Sequence, residues 1–528
     1  MKKGETFTSE RAFLGAYRRT GRTVSSHGPY PGARKHKYHD MFSPEKGGLP
    51  QHVRDFKIPD DMGIPEETLD AGEIRAMRDF FAEHLGHQDL PEAGYLIWQN
   101  GWWAKLFNAD TEAVDVLARA GVHDIMTARM YYGLDKHPST APAGITDVRF
   151  DPLRYPKMGD AADDEAPAGW HMDTEASDAP ENLEYTDRFQ APPAYDALIR
   201  YGEARGVHVN SFSTPDNGYR AHPEWLARRE DGEPYLYFGT PVSCPACRDY
   251  SERHFQMLCG VFEAYRPRIW SFDGRWMGYR EVDYGETIGE QPCWAANHGH
   301  LPGKSRYMEW KAIEAFKHRL KERFPGTALE HYYGVKRGGT WALKYASSDE
   351  NVFETSCADD NRFQTWHNEV DRFRPTYLHF ATIFGGEHDM EYAMISAIST
   401  SEYGQIANAY DDLRDDPAAV EIFRKWHAWA DANHRYLLDR ESLFGCPGDV
   451  PVDGSAHILD GEGWIFLFNT VDFDDTARLV LSEIPGLDGC GYEARVIYPR
   501  PCVLRARDGV IEVPVAAHTA CVLWLGRI

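Results

Sequence analysis

Residues 268–276 read R-I-W-S-F-D-G-R-W, and the predicted fold is built around this stretch. Ile269, Trp270 and Phe272 give it the apolar, aromatic character of a buried β-strand. An acid, a glycine and an arginine follow at once, so the strand ends on Asp273. In sheets of parallel strands, ligand-binding and catalytic groups stand where the strands end. The stretch therefore predicts a buried strand that delivers a carboxylate to a functional edge.

The same pattern, a short aromatic or β-branched run followed by a longer amphipathic run, recurs between about residues 92 and 437. It predicts strands at 94–100, 123–132, 207–212, 268–273, 328–333, 351–356 and 376–382, with an eighth near 401–410. The helices between them end close to glycine or proline, as at Gly121, Gly206, Pro267 and Pro325. No glycine-rich phosphate turn follows any strand. The pattern thus favours an α/β fold of the (β/α)8 TIM-barrel type over an open doubly wound sheet.

Three regions are predicted along the chain. The barrel occupies residues 91–440 and carries an acidic, Pro- and Ala-rich insertion at 134–191, after the second strand. Residues 441–528 alternate apolar and polar side chains between turns, which predicts a C-terminal antiparallel β-sandwich. Residues 1–90 form a short N-terminal extension, with a strand-like start, a Gly/Pro/His-rich stretch at 27–50 and a helix near 71–85.

Composition limits the classes of partner. The chain has 528 residues and a formal net charge of -25, which argues against nucleic acid or an anionic membrane as a partner. It has no apolar run long enough to span a bilayer, and its first residues lack the apolar core of a signal peptide, so we expect a cytoplasmic protein. Nine scattered cysteines do not resemble a disulfide framework. A neutral, small substrate suits this charge, and a homo-oligomer is left open.

Four residues raise the question of a metal. Cys244 and Cys247 in C-P-A-C have the spacing of zinc or redox cysteines, and His298 and His300 lie in N-H-G-H. A lone C-x-x-C without a second pair nearby is weak evidence, and the surrounding acids and histidines show no ligand grouping in the sequence. We therefore expect neither a bound metal nor a cofactor.

The candidate functional residues share one property, which is a position at or just beyond the end of a predicted strand. They are Trp98, Tyr131, Tyr132, Asp135, Asp216, Asp273, Arg275, Trp276, Glu330, His331, Asp359, Asp360, Arg362 and His379. Aromatic rings stack on the apolar faces of sugars and carboxylates bind hydroxyls, so the set predicts a carbohydrate substrate. Each residue has a structural alternative in barrel or loop packing. In particular, Asp273 could cap a helix or pair with Arg275, and Asp359 and Asp360 could cap the helix that follows them.

Short motifs over most of residues 92–528 resemble glycoside hydrolase families 27 and 36, the melibiase-type α-galactosidases and α-N-acetylgalactosaminidases. The motifs are W-S-F-D-G-R-W (270–276), A-H-P-E-W (221–225), L-E-H-Y-Y-G-V-K-R-G-G (329–339) and T-S-C-A-D-D-N-R (355–362). The resemblance implies that Asp273 is the nucleophile and that Asp359 is the acid/base, with Asp360 as second choice. The C-terminal sandwich is also like that of the family, and residues 4–17 look like the last strands of its N-terminal sandwich.

The resemblance implies a retaining, exo-acting α-glycoside hydrolase that works by double displacement through a covalent glycosyl-Asp intermediate. It does not identify the sugar. The second strand has T-A-R-M-Y-Y-G-L-D where the family has an acid pair, Ser271 replaces a lysine, and the arginine expected beside the acid/base is displaced to Arg362. A transglycosidase and a non-catalytic carbohydrate-binding barrel are the alternatives.

Overall fold

A computed structural model describes the chain over the following residues: 16, 23–25, 68–84, 94–98, 111–127, 193–213, 222–237, 240–272, 279–281, 288–332, 345, 348–350, 358–367, 378–382, 390–400, 403–407, 410–437, 440–487, 489 and 491–528. Near the N-terminus, β1 (Thr23–Ser25) pairs antiparallel with β2 (Thr68–Asp70). Helix α1 (Ala71–His84) follows β2 directly, which confirms the helix predicted near 71–85. No helix in the described residues is long and apolar enough to cross a membrane.

The middle of the chain alternates strands and helices. In chain order its elements are β3 Gly94–Trp98, α2 Thr111–Arg119, β4 Asp124–Thr127, α3 Pro193–Glu203, β5 His208–Ser213, β6 Leu236–Tyr237, β7 Thr240–Pro241, α4 Arg248–Tyr265, β8 Ile269–Phe272, β9 Tyr279–Glu281, β10 Ile288–Glu290, α5 Arg306–Arg323, β11 Ala328–Tyr332, β12 Ser348–Glu350, α6 Ala358–His367, β13 Leu378–Thr382, α7 Met390–Thr400, β14 Tyr403–Ala407, α8 Tyr410–Asp415 and α9 Pro417–Leu437.

Eight of these strands form one sheet in the order β12-β11-β8-β5-β4-β3-β14-β13. Every pairing in it is parallel, and the last strand, β14, pairs with the first, β3. This is the strand order of a (β/α)8 barrel written from its sixth strand round to its seventh. The parallel α/β sheet is thus confirmed, while the closing pair between β12 and β13 stays a prediction because the described residues do not include it.

The predicted strands overlap the described ones, with the sixth strand as the exception. The sixth strand was expected at 351–356, whereas its described part is Ser348–Glu350, paired with β11. Residues 351–357 and the insertion 134–191 lie outside the described residues. The eighth strand, Tyr403–Ala407, falls inside the predicted 401–410.

Two of the glycines that the sequence predicts at helix ends are found in the turns after α2 and α3. Gly121 after α2 and Gly206 after α3 have φ values of +75° and +73°. A side chain is strained in this left-handed region and glycine is not, so each helix stops there and the chain turns into the next strand. Arg266 holds the corresponding position after α4 with φ +48°.

Aromatic side chains join the sheet to its helices. Trp270 of β8 packs on Phe262 of α4 with ring centroids 5.0 Å apart, and Phe272 meets Phe316 of α5 at 6.2 Å. Trp270 and Phe272 are fully buried. Because successive side chains of a strand alternate between its faces, positions 270 and 272 define the face of β8 that looks toward the helices.

A small module is formed by the loops that follow β5 and β8, the third and fourth strands of the parallel sheet in chain order. Strands β6 and β7, between β5 and α4, form an antiparallel sheet with β9 and β10, between β8 and α5, in the order β10-β9-β6-β7. The module has its own buried cluster of Trp225, Ala227, Tyr235, Val242, Cys244, Cys247, Tyr250, Cys293 and Ala295. It stands beyond the C-terminal ends of β5 and β8, the edge where barrels of this kind bind ligands.

The C-terminal region is antiparallel, as predicted. Its strands are β15 Arg440–Leu443, β16 Val452–Leu459, β17 Glu462–Asn469, β18 Asp475–Val480, β19 Tyr492–Tyr498, β20 Cys502–Arg505, β21 Val510–Val515 and β22 Ala520–Arg527. Six form a sheet in the order β15-β16-β17-β22-β19-β20, and β18 pairs with β21. Residues of both sheets, such as Ile465 and Ile511, share one apolar cluster. The predicted segment 456–469 is a hairpin that turns at Asp460 and Gly461, both with positive φ.

Aromatic side chains also join α9 to the C-terminal sheet. Trp429 meets Trp464 edge to face with ring centroids 4.7 Å apart, and Trp464 meets Trp524 at 5.0 Å. The indole Nε1 of Trp464 donates to Asn433 Oδ1 at 2.9 Å. Helix α9 and the C-terminal sheet therefore share an apolar contact.

Candidate functional site

Asp359 lies in the first turn of α6, the helix that follows the sixth strand. Its Oδ1 accepts hydrogen bonds from Arg362 Nη2 at 2.8 Å and from the Tyr392 hydroxyl of α7 at 2.8 Å. The Tyr392 hydroxyl also lies 3.0 Å from Arg362 Nη2, so the three groups form a closed triangle. The Asp359 side chain is 26% exposed, whereas that of Arg362 is 2% exposed. Asp359 is thus the member of this triangle that meets solvent.

The C-terminal region completes the arrangement. Asp453 of β16 accepts from Arg362 Nε at 2.7 Å and from Nη2 at 2.9 Å, which is a bidentate ion pair. Arg362 Nη1 donates to Ser396 Oγ at 2.9 Å, and the guanidinium stacks over the Phe468 ring at 3.9 Å. The Arg362 guanidinium therefore donates to two carboxyl groups, the buried one of Asp453 and the partly exposed one of Asp359.

Burial and neighbouring charges shift the pKa values of the groups in this cluster. Burial would lower the pKa of Arg362, but the charges led by Asp453 raise it well above its ordinary value. Burial, together with the Asp359 charge, raises the pKa of the Tyr392 hydroxyl well above its ordinary value. Burial also raises the pKa of Asp453, with the Arg362 charge opposing that rise. Arg362 is therefore a fixed cation, and Tyr392 a fixed donor, at any physiological pH.

The structure bears on two sequence expectations about this helix. Arg362, the residue to which the arginine of the resembling family is displaced in this sequence, contacts Asp359 directly, and the acid/base role of Asp359 stays a prediction. The helix begins at Ala358, so Asp359 stands inside the first turn and not at the capping position before it. Asp360 also lies inside α6, and its side chain is outside the described residues.

Other candidates are placed by the backbone alone. Trp98 is the last residue of β3, and Glu330 and His331 lie near the end of β11, where His331 pairs in register with Phe272. The prediction that His379 ends the seventh strand is wrong: it is the second residue of β13, because the apolar run through Thr382 continues the pairing with β14. Seven candidates lie outside the described residues, and they are Tyr131, Tyr132, Asp135, Asp216, Asp273, Arg275 and Trp276.

Sequence reasoning missed Tyr392, Ser396 and Asp453. Tyr392 and Ser396 lie in a helix that is buried over most of its length, where nothing distinguishes them from packing residues. Asp453 had a usable signal, because an acid stands in the strand V-D-G-S-A-H-I-L, which is buried on both faces. A buried acid in such a strand requires a charged or hydrogen-bonding partner.

A second group of reactive side chains lies in the loop module. Ligand atoms of Cys244, Cys293, His298 and His300 all lie within 4.8 Å of one another, so the expectation that they form no ligand group is wrong. Hydrogen bonds, led by the one from Cys244, lower the pKa of Cys293 to about 2 despite its burial. Burial would lower the pKa of His298, but hydrogen bonds with Cys247 and Cys293 raise it to about 10.

A third group of titratable side chains lies at the opposite edge of the sheet, next to the N-terminal end of β4. Asp431 Oδ2 of α9 stands 3.3 Å from His427 Nδ1 and 3.7 Å from His123 Nε2. Burial would raise the pKa of Asp431, but hydrogen bonds from His123 and His427 hold it below its ordinary value. Because the N-terminal ends of barrel strands serve stability, we interpret this group as structural.

Comparison with known proteins relates the fold to carbohydrate-active enzymes. The structure is similar to an α-galactosidase from Lactobacillus brevis, with TM-score 0.59 and 12% identity, covering 88% of this chain and 60% of that one. It is similar to a family 36 α-galactosidase variant from Geobacillus stearothermophilus in complex with raffinose, with TM-score 0.58 and 13% identity, covering 88% and 61%. It is also similar to an α-amylase from Geobacillus thermoleovorans complexed with acarbose, with TM-score 0.52 and 10% identity, covering 83% and 98%.

No protein-family model and no curated protein matches the sequence. The chain spans about 60% of the length of the α-galactosidase chains that it resembles. At this identity the likeness shows a fold shared with glycoside hydrolases, in which a parallel barrel-type sheet is followed by a C-terminal sheet region.

Proposed function

We propose that the chain is a retaining, exo-acting α-glycoside hydrolase whose sheet closes as a (β/α)8 barrel through β12 and β13. The observation that carries this proposal is the cluster of Asp359, Arg362, Tyr392 and Asp453. It stands at the start of α6, just beyond the sixth strand, in a chain with the fold of glycoside hydrolases. Asp359 would serve as acid/base there, and Asp273 as nucleophile.

The charge balance of the cluster suits a proton donor. One guanidinium faces two carboxyl groups, so the trio is neutral when one carboxyl group carries a proton and singly negative when neither does. A carboxyl group that gains and loses one proton next to a fixed cation can act first as a general acid and then as a general base. Asp359 is partly exposed, and this exposure would let its proton reach the departing oxygen of a substrate.

The proposed reaction has two displacements. In the first, the Asp273 carboxylate attacks the anomeric carbon, the bond to the leaving oxygen breaks, and the Asp359 proton moves to that oxygen. In the second, Asp359 takes a proton from water while the water oxygen attacks the anomeric carbon and releases Asp273. The sugar keeps its anomeric configuration, because two inversions follow one another.

The role of Asp273 rests on its sequence position and on its neighbours in β8. Asp273 follows Phe272, the last described residue of that strand. Phe272 and Trp270 face the helices, so the next residue of a continued strand would face the barrel interior. Strand β11 pairs with β8 and places Glu330 beside Ser271 and His331 beside Phe272, next to the position of Asp273 in the chain.

The remaining candidates are proposed as the sugar subsite. Aromatic walls would come from Trp98, Tyr131, Tyr132 and Trp276, and hydroxyl partners from Asp135, Asp216, Glu330 and His331, with Arg275 beside the nucleophile. His379 is not among them, because it lies near the start of β13. The compared structures hold raffinose and acarbose, which supports a carbohydrate substrate for this chain without identifying the sugar.

A panel of nitrophenyl α- and β-glycosides tests the proposal. We expect hydrolysis of one or more α-glycosides, no hydrolysis of β-glycosides, and an α-anomer as the first product seen by proton NMR. A first-formed β-anomer would contradict the retaining mechanism. Turnover of no glycoside in the panel, by protein that is folded by circular dichroism, would favour the non-catalytic carbohydrate-binding barrel.

A further inference from the structure

The cysteine and histidine group in the loop module has the dimensions of a tetrahedral metal site. Cys244 Sγ lies 3.4 Å from His300 Nε2, and Cys293 Sγ lies 3.5 Å from His298 Nδ1. A tetrahedral zinc ion with ordinary bond lengths separates a sulfur from a nitrogen ligand by about 3.5 Å. Two separate thiol–imidazole hydrogen bonds would not require the pairs to converge, yet all four atoms lie within 4.8 Å of one another.

The outer contacts of the histidines fix which ring nitrogen faces the sulfurs. His298 Nε2 lies 2.8 Å from the Glu224 carbonyl oxygen, and His300 Nδ1 lies 3.1 Å from that of Leu301. A carbonyl oxygen only accepts, so each outer nitrogen carries a hydrogen, and the other nitrogen of each ring points into the group. Metal-binding histidines show this same arrangement, in which the second nitrogen donates to a carbonyl or carboxylate.

Backbone amides support a thiolate at Cys293. Its Sγ accepts from the Arg228 and Ala295 amides, both at 3.4 Å. Amide donors stabilise negative charge on sulfur, and the thiolate is the form that binds metals. These donors come from both loops of the module, so the sulfur sits where the two loops meet.

The group is enclosed. Cys244 and Cys293 are 0% exposed, His298 and His300 are 6% and 9% exposed, and apolar side chains such as Trp225 and Val242 surround them. Sulfur and imidazole ligands favour zinc over magnesium or calcium, which prefer oxygen. Four protein ligands in a closed site, with no open position, are typical of structural and not of catalytic zinc.

We propose that Cys244, Cys293, His298 and His300 bind one structural zinc ion, which joins the loop after β5 to the loop after β8. Cys244 comes from the first loop and the other three ligands from the second. Cys247, which precedes α4, stays outside the ligand set. The ion holds together two loops at the C-terminal edge of the sheet, and the second of these loops begins just after β8.

Metal analysis of the full chain tests this proposal independently of enzymatic activity. We expect about one zinc per chain by mass spectrometry of protein purified without a histidine tag, and less than about a tenth of that in Cys293→Ser or His300→Ala. Cys502→Ser, which changes an exposed cysteine far from the group, serves as the matched control and should keep the zinc. Cys247→Ser should keep it too, and loss there would overturn the ligand set.

Cobalt distinguishes a lost site from a misfolded variant. Wild-type protein refolded with cobalt alone should show the intense visible bands of tetrahedral Co²⁺ and a thiolate-to-cobalt charge-transfer band. His300→Cys retains four ligands, so it should bind one metal and strengthen the charge-transfer band. Wild-type protein that holds neither zinc nor cobalt, or Cys293→Ser that holds either as wild type does, would overturn the proposal.

Discussion

Arg362 of α6 and Asp453 of β16 form a buried bidentate ion pair, with Nε–Oδ1 and Nη2–Oδ2 distances of 2.7 and 2.9 Å. The pair joins the helix that carries Asp359 to the C-terminal sheet. Both side chains are about 2% exposed, so neither charge is solvated if its partner is removed. The C-terminal region therefore contributes directly to the position of the proposed acid/base.

Removal of one partner should destabilise the protein strongly. We expect Asp453→Ala to lower the free energy of unfolding by about 3 to 5 kcal/mol, because it leaves the Arg362 charge buried with less compensation. Urea denaturation followed by fluorescence measures this change. The pair of Arg495 and Glu493, in which Arg495 is exposed, is the control, since Arg495→Ala should cost less than about 1 kcal/mol. A loss below about 1 kcal/mol for Asp453→Ala would mean that the ion pair does not anchor α6.

Tyr392→Phe should impair catalysis more than folding. The change removes the hydroxyl that donates to Asp359 Oδ1 and leaves the ring in place. We expect kcat/KM to fall about tenfold for glycosides with poor leaving groups, because one hydrogen bond to a charged group is lost. For dinitrophenyl glycosides, which need no proton on the leaving group, kcat/KM should change little. Tyr436→Phe, which alters a hydroxyl bonded to Arg435, is the matched control. Equal losses with both leaving groups would argue against a role in proton transfer.

Acid should destabilise the fold through His254. Burial lowers the pKa of His254 to about 3, below the value of about 6.5 in the unfolded chain. The unfolded chain therefore binds a proton that the folded chain excludes, and stability falls as pH drops from about 6.5 toward 3. Between about pH 7 and pH 5 the expected loss is about 2 kcal/mol.

His254→Gln should reduce this acid sensitivity, since glutamine does not titrate. Thermal unfolding at both pH values measures the slope in each protein. His318→Gln changes an exposed histidine and should leave the slope unchanged. If His254→Gln shows the same slope as wild type, burial of His254 does not account for the acid sensitivity.

Trp464 should be central to the contact between α9 and the C-terminal sheet. It packs on Trp429 and Trp524 and donates to Asn433. We expect Trp464→Ala to cost about 3 to 5 kcal/mol, and Trp464→Phe clearly less, because phenylalanine retains part of the ring contact. Phe473→Ala, at an exposed position, should have little effect on the unfolding midpoint. Similar midpoints for Trp464→Ala and Phe473→Ala would contradict this interpretation.

Much of the fold could be predicted because local patterns match it. The apolar run Ile269–Phe272 is a strand as predicted, and Gly121 and Gly206 follow their helices at positions with positive φ, which glycine adopts without strain. The sequence does not predict the described part of the sixth strand, since the polar run Ser348–Glu350 carries no strand signal of its own, and the predicted stretch 351–356 lies outside the described residues. The place of the sixth strand in the sheet comes from its pairing with β11, and a contact between separate strands is not encoded in any local pattern.

The two clusters show what local patterns cannot supply. Arg362 and Asp359 are three residues apart on one helix turn, so their contact follows from helix geometry. Asp453 reaches the same guanidinium from a separate sheet, and Cys244 meets Cys293 although one helix and three strands separate them in the chain. These contacts depend on how elements pack, which residue spacing alone does not encode.

Azide rescue is the sharpest test of a double displacement by Asp273 and Asp359. With a dinitrophenyl α-glycoside and azide, Asp359→Ala should form the α-glycosyl azide, because azide enters the glycosyl-Asp intermediate from the face that water would use. Asp273→Ala should instead form the β-glycosyl azide by a single displacement. Proton NMR of the two products distinguishes the anomers. An α-azide from Asp273→Ala, or unchanged hydrolysis without azide in either variant, would contradict the assigned roles.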